Sequence, residues 1–211
     1  MGEVLDLLKS ENYRLGPYQV IRYDPKRIDV FPEGYLTQLY QLAKNSGRWS
    51  SLGILPNFFC GMLDLNHDAI TSYLAGRHLA ILVEWDSPST FYPLGFAFPS
   101  TSAGVGEQKM AFLAYGFFMP AWGKPAVLTL TLLGLAYFFK ELGLIAIHGS
   151  RYATNDRSAR LIRQIGFKDV GRVPRYMLDK DKKLVDMIVS SLLVEDYEQI
   201  SLPLLEKYSP S

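Results

Sequence analysis

Cysteine is nearly absent from this chain of 211 residues: Cys60 is the only one. A single thiol cannot form an internal disulfide, so no disulfide framework holds the fold, and a reducing, cytoplasmic compartment suits the chain. Cys60 lies in Phe58-Phe59-Cys60-Gly61-Met62 with no candidate triad around it, and reads as a small buried hydrophobe. An excess of one charge is absent too. The 22 Lys and Arg against 21 Asp and Glu leave a net charge of +1. That balance gives no general attraction for nucleic acid or an anionic membrane. A membrane-length apolar run is also missing. The longest, residues 126–139, is interrupted by Thr129, Thr131 and Gly134 and stops at Lys140-Glu141. It falls short of the roughly 20 residues a bilayer span needs. The first residues, Met1-Gly2-Glu3-Val4-Leu5-Asp6, are acidic and too short in apolar length for a secretory signal. Asp6 stands where a myristoylation pattern needs Ser or Thr. Neither repeats nor low-complexity segments are visible, and no metal site is expected.

What is present is a globular composition, 48% apolar. A chain of this size buries roughly 70% of its unfolded surface, so no metal or disulfide staple is needed. Residues 15–24 have strand-like content and end at the turn signal Asp24-Pro25. Phe31-Pro32-Glu33 opens a helix with Leu36, Leu39, Tyr40 and Ala43 on one face, closed by Asn45-Ser46-Gly47. Residues 48–77 are aromatic-rich and are expected to hold one or two short helices. Residues 79–85 and 94–98 read as paired strands. Residues 110–118 form a nearly all-apolar strand, which suggests burial on both faces. Residues 144–150 form another strand, and 166–173 and 184–193 close the set around a charged turn at 179–183. Strands and helices in this order give an α/β (α+β) fold with a mixed central sheet flanked by helices.

The densest signals lie between Trp122 and Phe167. After the strand ending near Phe118 comes Met119-Pro120-Ala121-Trp122-Gly123-Lys124-Pro125, and then a helix. Glycine in such a loop lets backbone N–H groups converge, and the helix start adds its dipole and unpaired donors, which suit a pyrophosphate. Pro125 fits the first helical turn, where its missing N–H has no intrahelical partner anyway. It also offers one donor fewer to an anion. Further on, Asn155-Asp156-Arg157-Ser158 opens a second helix that stops at Gly166-Phe167. Asn155 is a natural N-cap, and Asn155 and Ser158 share one side of the first turn.

This order of parts resembles the GNAT acyltransferases, and in particular those of the ribosomal-protein N-terminal acetyltransferase type. The match rests on Trp122-Gly123-Lys124, where the family has Trp-Gly-Lys-Gly and Pro125 replaces the second Gly. It continues through Asn155, Ser158, Leu161, Ile162, Gly166 and Phe167 with the spacing intact, and through Asp186. Pro120 stands where the family has Gln or Arg, and Ile162 where an acid Tyr is often found. The resemblance covers roughly residues 78–197. It implies a GNAT-like fold and acetyl-CoA as co-substrate, without a metal. It implies that Trp122, Gly123, Lys124, Pro125 and Ala126 hold the pyrophosphate, that a backbone N–H near Phe117 or Phe118 serves the oxyanion, and that Asn155 and the helix after it line the pantetheine arm. One domain, 1–211, is expected. In it residues 1–77 shape the acceptor side and 78–197 the cofactor side, with a short tail after about 197.

Acyl transfer to an amine needs a neutral amine and therefore a proton acceptor near pH 7. His148, at the end of a strand ahead of Asn155, is the best-placed imidazole. Glu84 is an acid ending an apolar strand, and Tyr115 puts a hydroxyl into another. These three are the candidate catalytic residues, each with a plain structural reading beside it. Arg151, Arg157, Arg160, Arg163, Lys168, Arg172 and Arg175 form a basic cluster. It reads as a solvated face, or with Arg157 and Arg160 as a seat for the 3′-phosphate of coenzyme A. Nucleic acid is not the expected ligand, since no stacking motif accompanies the charge. The expected activity is transfer of an acetyl group from acetyl-CoA to a primary amine, a small molecule or a protein N-terminus, by direct attack. Self-association is left open. The alternative, motivated by Pro120, Pro125 and Ile162, is a GNAT-fold binding or assembly module without catalysis.

Overall fold

A computed structural model describes residues 13–22, 80–87, 90–100, 109–117, 121–178 and 183–208. The expected helix at 31–47, the segment 48–77, Cys60 and Phe118 lie outside the described residues. Eight strands form one sheet in the order β1-β2-β3-β4-β5-β6-β8-β7. Their bounds are β1 Tyr13–Leu15, β2 Tyr18–Arg22, β3 Ala80–Ser87, β4 Thr90–Ser100, β5 Met110–Phe117, β6 Ala146–Tyr152, β7 Lys168–Leu178 and β8 Leu184–Leu193. Every pairing is antiparallel except that of β5 with β6. A parallel pair needs a crossover, and helix α1, Pro125–Ala136, supplies it.

β4 begins earlier than its sequence suggests, because Pro93 lies inside it. The proline is tolerated where the β3–β4 register shifts between Leu82 and Val83, a bulge that spares a ladder donor. At Gly95 a side chain would have no room: a Cβ there would run into the Gly116 carbonyl oxygen on β5.

Helix α1 is apolar nearly all round, and helices of that kind are buried. It packs over β1, β2 and β3 on one side and the C-terminal helix on the other. Thr131 is accommodated because its hydroxyl donates to the Val127 carbonyl at 2.6 Å. A π-helical turn, Tyr137–Glu141, continues α1 and brings Tyr137 edge-on to Tyr13, while the Tyr13 hydroxyl donates to Glu141 at 2.7 Å. Helix α2, Asp156–Gln164, is amphipathic. Ala159 and Ile162 face the core and its arginines face out.

The chain after β8 is not a tail. Val194–Asp196 makes one helical turn, Tyr197–Ser201 a π-helical turn, and α3 runs from Leu202 to Tyr208. Tyr197 stacks on Phe139 with ring centroids 4.6 Å apart, and the Ser201 hydroxyl donates to the Ile165 carbonyl at 2.6 Å. One core cluster therefore joins α1, α2, α3 and the sheet face beneath them.

Candidate active site

β5 and β6 pair over only three positions, Met110 with Ala146, Ala111 with Ile147 and Phe112 with His148. Beyond these, β5 stays on β4 up to Phe117, and β6 stays on β8 up to Tyr152. The two strands therefore splay apart toward their C-terminal ends. Ile145 donates to the Lys109 carbonyl at 2.8 Å, so the odd-numbered residues of β5 point their backbone groups at β6. The β4–β5 register is unbroken from Phe112 to Phe117. It follows that the Leu113 C=O, both backbone groups of Tyr115 and the Phe117 N–H face the splay, where no described strand pairs with them. Such an edge takes up an extended chain by hydrogen bonds.

At the mouth of the splay the chain turns into α1. Gly123 has φ +77°, a left-handed conformation that glycine adopts at least cost. A Cβ placed there would meet nothing within 4 Å, so the turn itself, not crowding from the protein, calls for glycine. Lys124 is the N-cap, without a side-chain cap bond, and Pro125 opens the first turn, which holds no acidic residue. Ala126 then stands where an N–H has no intrahelical acceptor. A helix start free of acidic side chains, with an exposed lysine beside it, favours an anion.

Trp122 has a job within the protein. Its Nε1 donates to the Phe117 carbonyl at 2.8 Å, folding the loop back on the end of β5. The Arg157 guanidinium stands 5.4 Å from the centre of its ring, a cation–π contact that ties the start of α2 to the loop. Asn155 caps α2: its Oδ1 accepts from the Ser158 N–H at 3.1 Å.

The cleft between the splayed strands and α2 is lined by Leu113, Tyr115, Gly149, Ser150, Arg151, Ser158, Ile162, Phe167 and Ser190. The Tyr115 hydroxyl and Ser158 Oγ share a hydrogen bond of 2.9 Å across it. Burial pushes the Tyr115 phenol up, with the Ser158 bond and the nearby Arg151 guanidinium pulling the other way, and the balance is upward. The phenol therefore stays protonated and available as a donor near pH 7.

Two of the expected catalytic residues lie elsewhere. His148 is the last residue paired across the β5–β6 apex, and its ring lies 5.5 Å from that of Phe112. By strand alternation both face away from Tyr115 and α2. Glu84 lies on β3, with β4 between it and β5, flanked by Tyr18 and Tyr92 on the adjoining strands. Burial, and then the Glu84 carboxylate, raise the Tyr18 phenol. Asp186 is likewise occupied. It accepts from Arg172 Nε at 2.6 Å and from the Arg175 N–H at 2.8 Å, pinning the left-handed backbone of Arg175, φ 50°, at an irregularity in β7.

The residue that the sequence reading misplaced is Arg151. It is no part of a solvated face: it is 8% exposed, and its Nη2 reaches Asp169 on β7 at 2.8 Å. Asp169 also accepts from Arg163 at 3.0 Å and from the Ser190 hydroxyl at 2.7 Å. The signal for it was strand parity, since Arg151 shares the inward face of β6 with Ile147 and Gly149.

No family model matches the sequence, and no curated protein sequence matches it either. Solved structures do match. Ribosomal-protein-S5-alanine acetyltransferase from Vibrio fischeri superposes with a TM-score of 0.63 at 15% identity, over 89% of this chain and 99% of that one. A probable acetyltransferase of the GNAT family from Chromobacterium violaceum gives 0.61 at 20% identity, over 89% and 88%. Spermidine N-acetyltransferase from Vibrio cholerae, in complex with CoA and spermine, gives 0.66 at 14% identity, over 86% and 98%. This is the GNAT acetyltransferase fold. In a GNAT frame the expected mixed sheet is found, with the splay between its two parallel strands at the centre. Among the described residues no helix is long and apolar enough to cross a membrane, and no group of His, Cys, Asp and Glu could hold a metal ion.

Proposed function

We propose that this protein is an N-acyltransferase that moves an acetyl group from acetyl-CoA to a primary amine. One observation carries the reading: the β5–β6 splay, with unpaired strand edges along it, ends at an anion-favouring helix start. That combination suits a ligand with a pyrophosphate at one end and an extended amide-bearing arm at the other. Similarity to an acetyltransferase solved with CoA supports it.

In this reading Gly123, Lys124 and Ala126 hold the pyrophosphate, and Pro125 fixes the direction of the first turn. Trp122 acts by shaping the loop. Arg157 sits at the mouth, where its charge faces the phosphates, and Asn155 and Ser158 border the arm. The N–H of Phe117, at the mouth end of the splay, meets the arm, and the thioester oxygen lies further toward the apex, where a backbone N–H of β5 offers it a hydrogen bond as it gains charge. Tyr115, held protonated by burial, donates its proton to the departing sulfur and regains one from solvent once the thiol has left. The amine nitrogen forms its bond to the acyl carbon as the C–S bond breaks, and the proton it sheds passes to solvent. His148 marks the apex from the opposite face of the sheet and is the base an amine arriving from that side would meet. Glu84 stands further out, on β3. A cytoplasmic location fits the lone cysteine.

The named acceptors of the similar structures include a protein alanine and spermidine, so the amine class is the open variable. Calorimetry with acetyl-CoA and with coenzyme A is the first test, and an untargeted acetylation screen with thiol release as readout is the second. Failure of both ligands to bind at millimolar concentration would end the reading and favour a binding or assembly module.

A further inference from the structure

Arg151 does something in the cleft that its ion pair does not explain. Only Nη2 is engaged by Asp169; Nε is fully buried and has no hydrogen-bond partner among the described residues. A buried N–H left unpaired is costly, because its hydration is lost without replacement. The side chain lines the same cleft as Tyr115, Ser158 and Ile162. Asp169 could be held by Arg163 and Ser190 without it.

Position decides what Nε faces. Arg151 lies three residues beyond His148 on β6, and Tyr115 three beyond Phe112 on β5. At about 3.3 Å per residue both sit about 10 Å from the apex, between it and the phosphate end. A chain stretched from the mouth to the apex must pass them. An N–H donor on a side chain already neutralised by a carboxylate suits a neutral oxygen acceptor better than a second anion.

We propose that Arg151 is a positioning residue for the acyl donor: its Nε–H binds an amide carbonyl oxygen midway along the pantetheine arm. This rests on the acyl-CoA reading and specifies it. Asp169 then serves to hold the guanidinium edge-on to the cleft, and the arm enters by displacing Tyr115 from Ser158.

The test compares two probes, coenzyme A and adenosine 3′,5′-bisphosphate, which carries phosphates but no arm. Arg151→Lys keeps a cation for Asp169 and removes the Nε donor. It should weaken coenzyme A roughly tenfold or more while leaving the bisphosphate affinity unchanged. Arg151→Met should do the same wherever it folds, as checked by its melting curve. Arg163→Met removes the exposed guanidinium on Asp169 and should change neither affinity. Equal coenzyme A affinity in Arg151→Lys and the unaltered protein would overturn the proposal and leave the acyltransferase reading standing. Parallel loss of both probes in Arg151→Lys would overturn it too, by showing a structural role only. Failure of the unaltered protein to bind either probe would remove both readings together.

Discussion

Two residues at the mouth of the cleft show how a family position and a structural duty overlap. Gly123 matches a phosphate-loop glycine, and its φ of +77° gives the reason that holds without any ligand. Gly123→Val places a β-branched residue in the left-handed region, at a cost on the order of 1–2 kcal/mol. In a chain of this length each kcal/mol lowers Tm by roughly 2–4 °C. The expected result is a folded protein melting a few degrees lower that no longer binds coenzyme A, measured by scanning calorimetry and titration. A loss of ligand affinity with unchanged Tm would mean that the turn carries no strain in the variant. Asn155 needs a pair of variants, because its cap bond and its place beside the arm are separable. Asn155→Ser keeps an N-cap, and Asn155→Ala removes it for about 1 kcal/mol. If the amide also holds the arm, both variants raise KM for acetyl-CoA but only Ala lowers Tm. If Asn155 is a cap alone, Ser leaves KM unchanged.

Among the elements, β6 and β7 are joined by a charge cluster that reports on pH. Burial alone would raise the Asp169 carboxyl, yet the Ser190 hydroxyl and the Arg163 and Arg151 guanidiniums outweigh it and hold it below the usual carboxylate range. The unfolded carboxyl titrates near 3.9. A folded-state value below that makes the contribution fully present above about pH 4, and it fades as pH falls further through the depressed value. Asp169→Asn should therefore flatten the acid limb of Tm plotted against pH below about 4. An unchanged acid limb would show that this cluster is not what acid breaks. The strands themselves were legible from apolar content and turn signals, and their order along the chain was read correctly across residues 79–193. What sequence could not show was the partner of each charge. Arg151 reads as one more residue of a basic run, and only pairing of β6 with β8, and of β8 with β7, brings it over Asp169. The splay was equally hidden, since it is the early end of a pairing between strands separated by a whole helix. Pro125 and Asn155 were legible because their reasons are local, at a first helical turn and a cap.

At the scale of the molecule, the C-terminal segment corrects the sequence reading most. A short tail was expected after about residue 197. The fold instead uses it as the outer cover of α1, a helix too apolar to face water. Tyr197 is 0% exposed and Leu205 2%, and both belong to the cluster that holds α1 and α2 against the sheet. Burying side chains of this size contributes on the order of 1.5–3 kcal/mol each, against a total stability of about 5–15 kcal/mol for a typical domain. Removing residues 197–211 also uncovers Phe139 and the Ile165 carbonyl that Ser201 satisfies. The truncated chain should therefore fail to fold, collecting in the insoluble fraction or losing its cooperative melting transition. Leu205→Ala gives the graded version. It should cost about 2–5 kcal/mol, as deletion of a buried leucine does, and lower Tm while leaving coenzyme A affinity at temperatures below the transition unchanged, because no residue of α3 lines the cleft. A soluble truncation with an intact melting transition would show that α1 keeps its place without this cover, and that the segment is a tail after all.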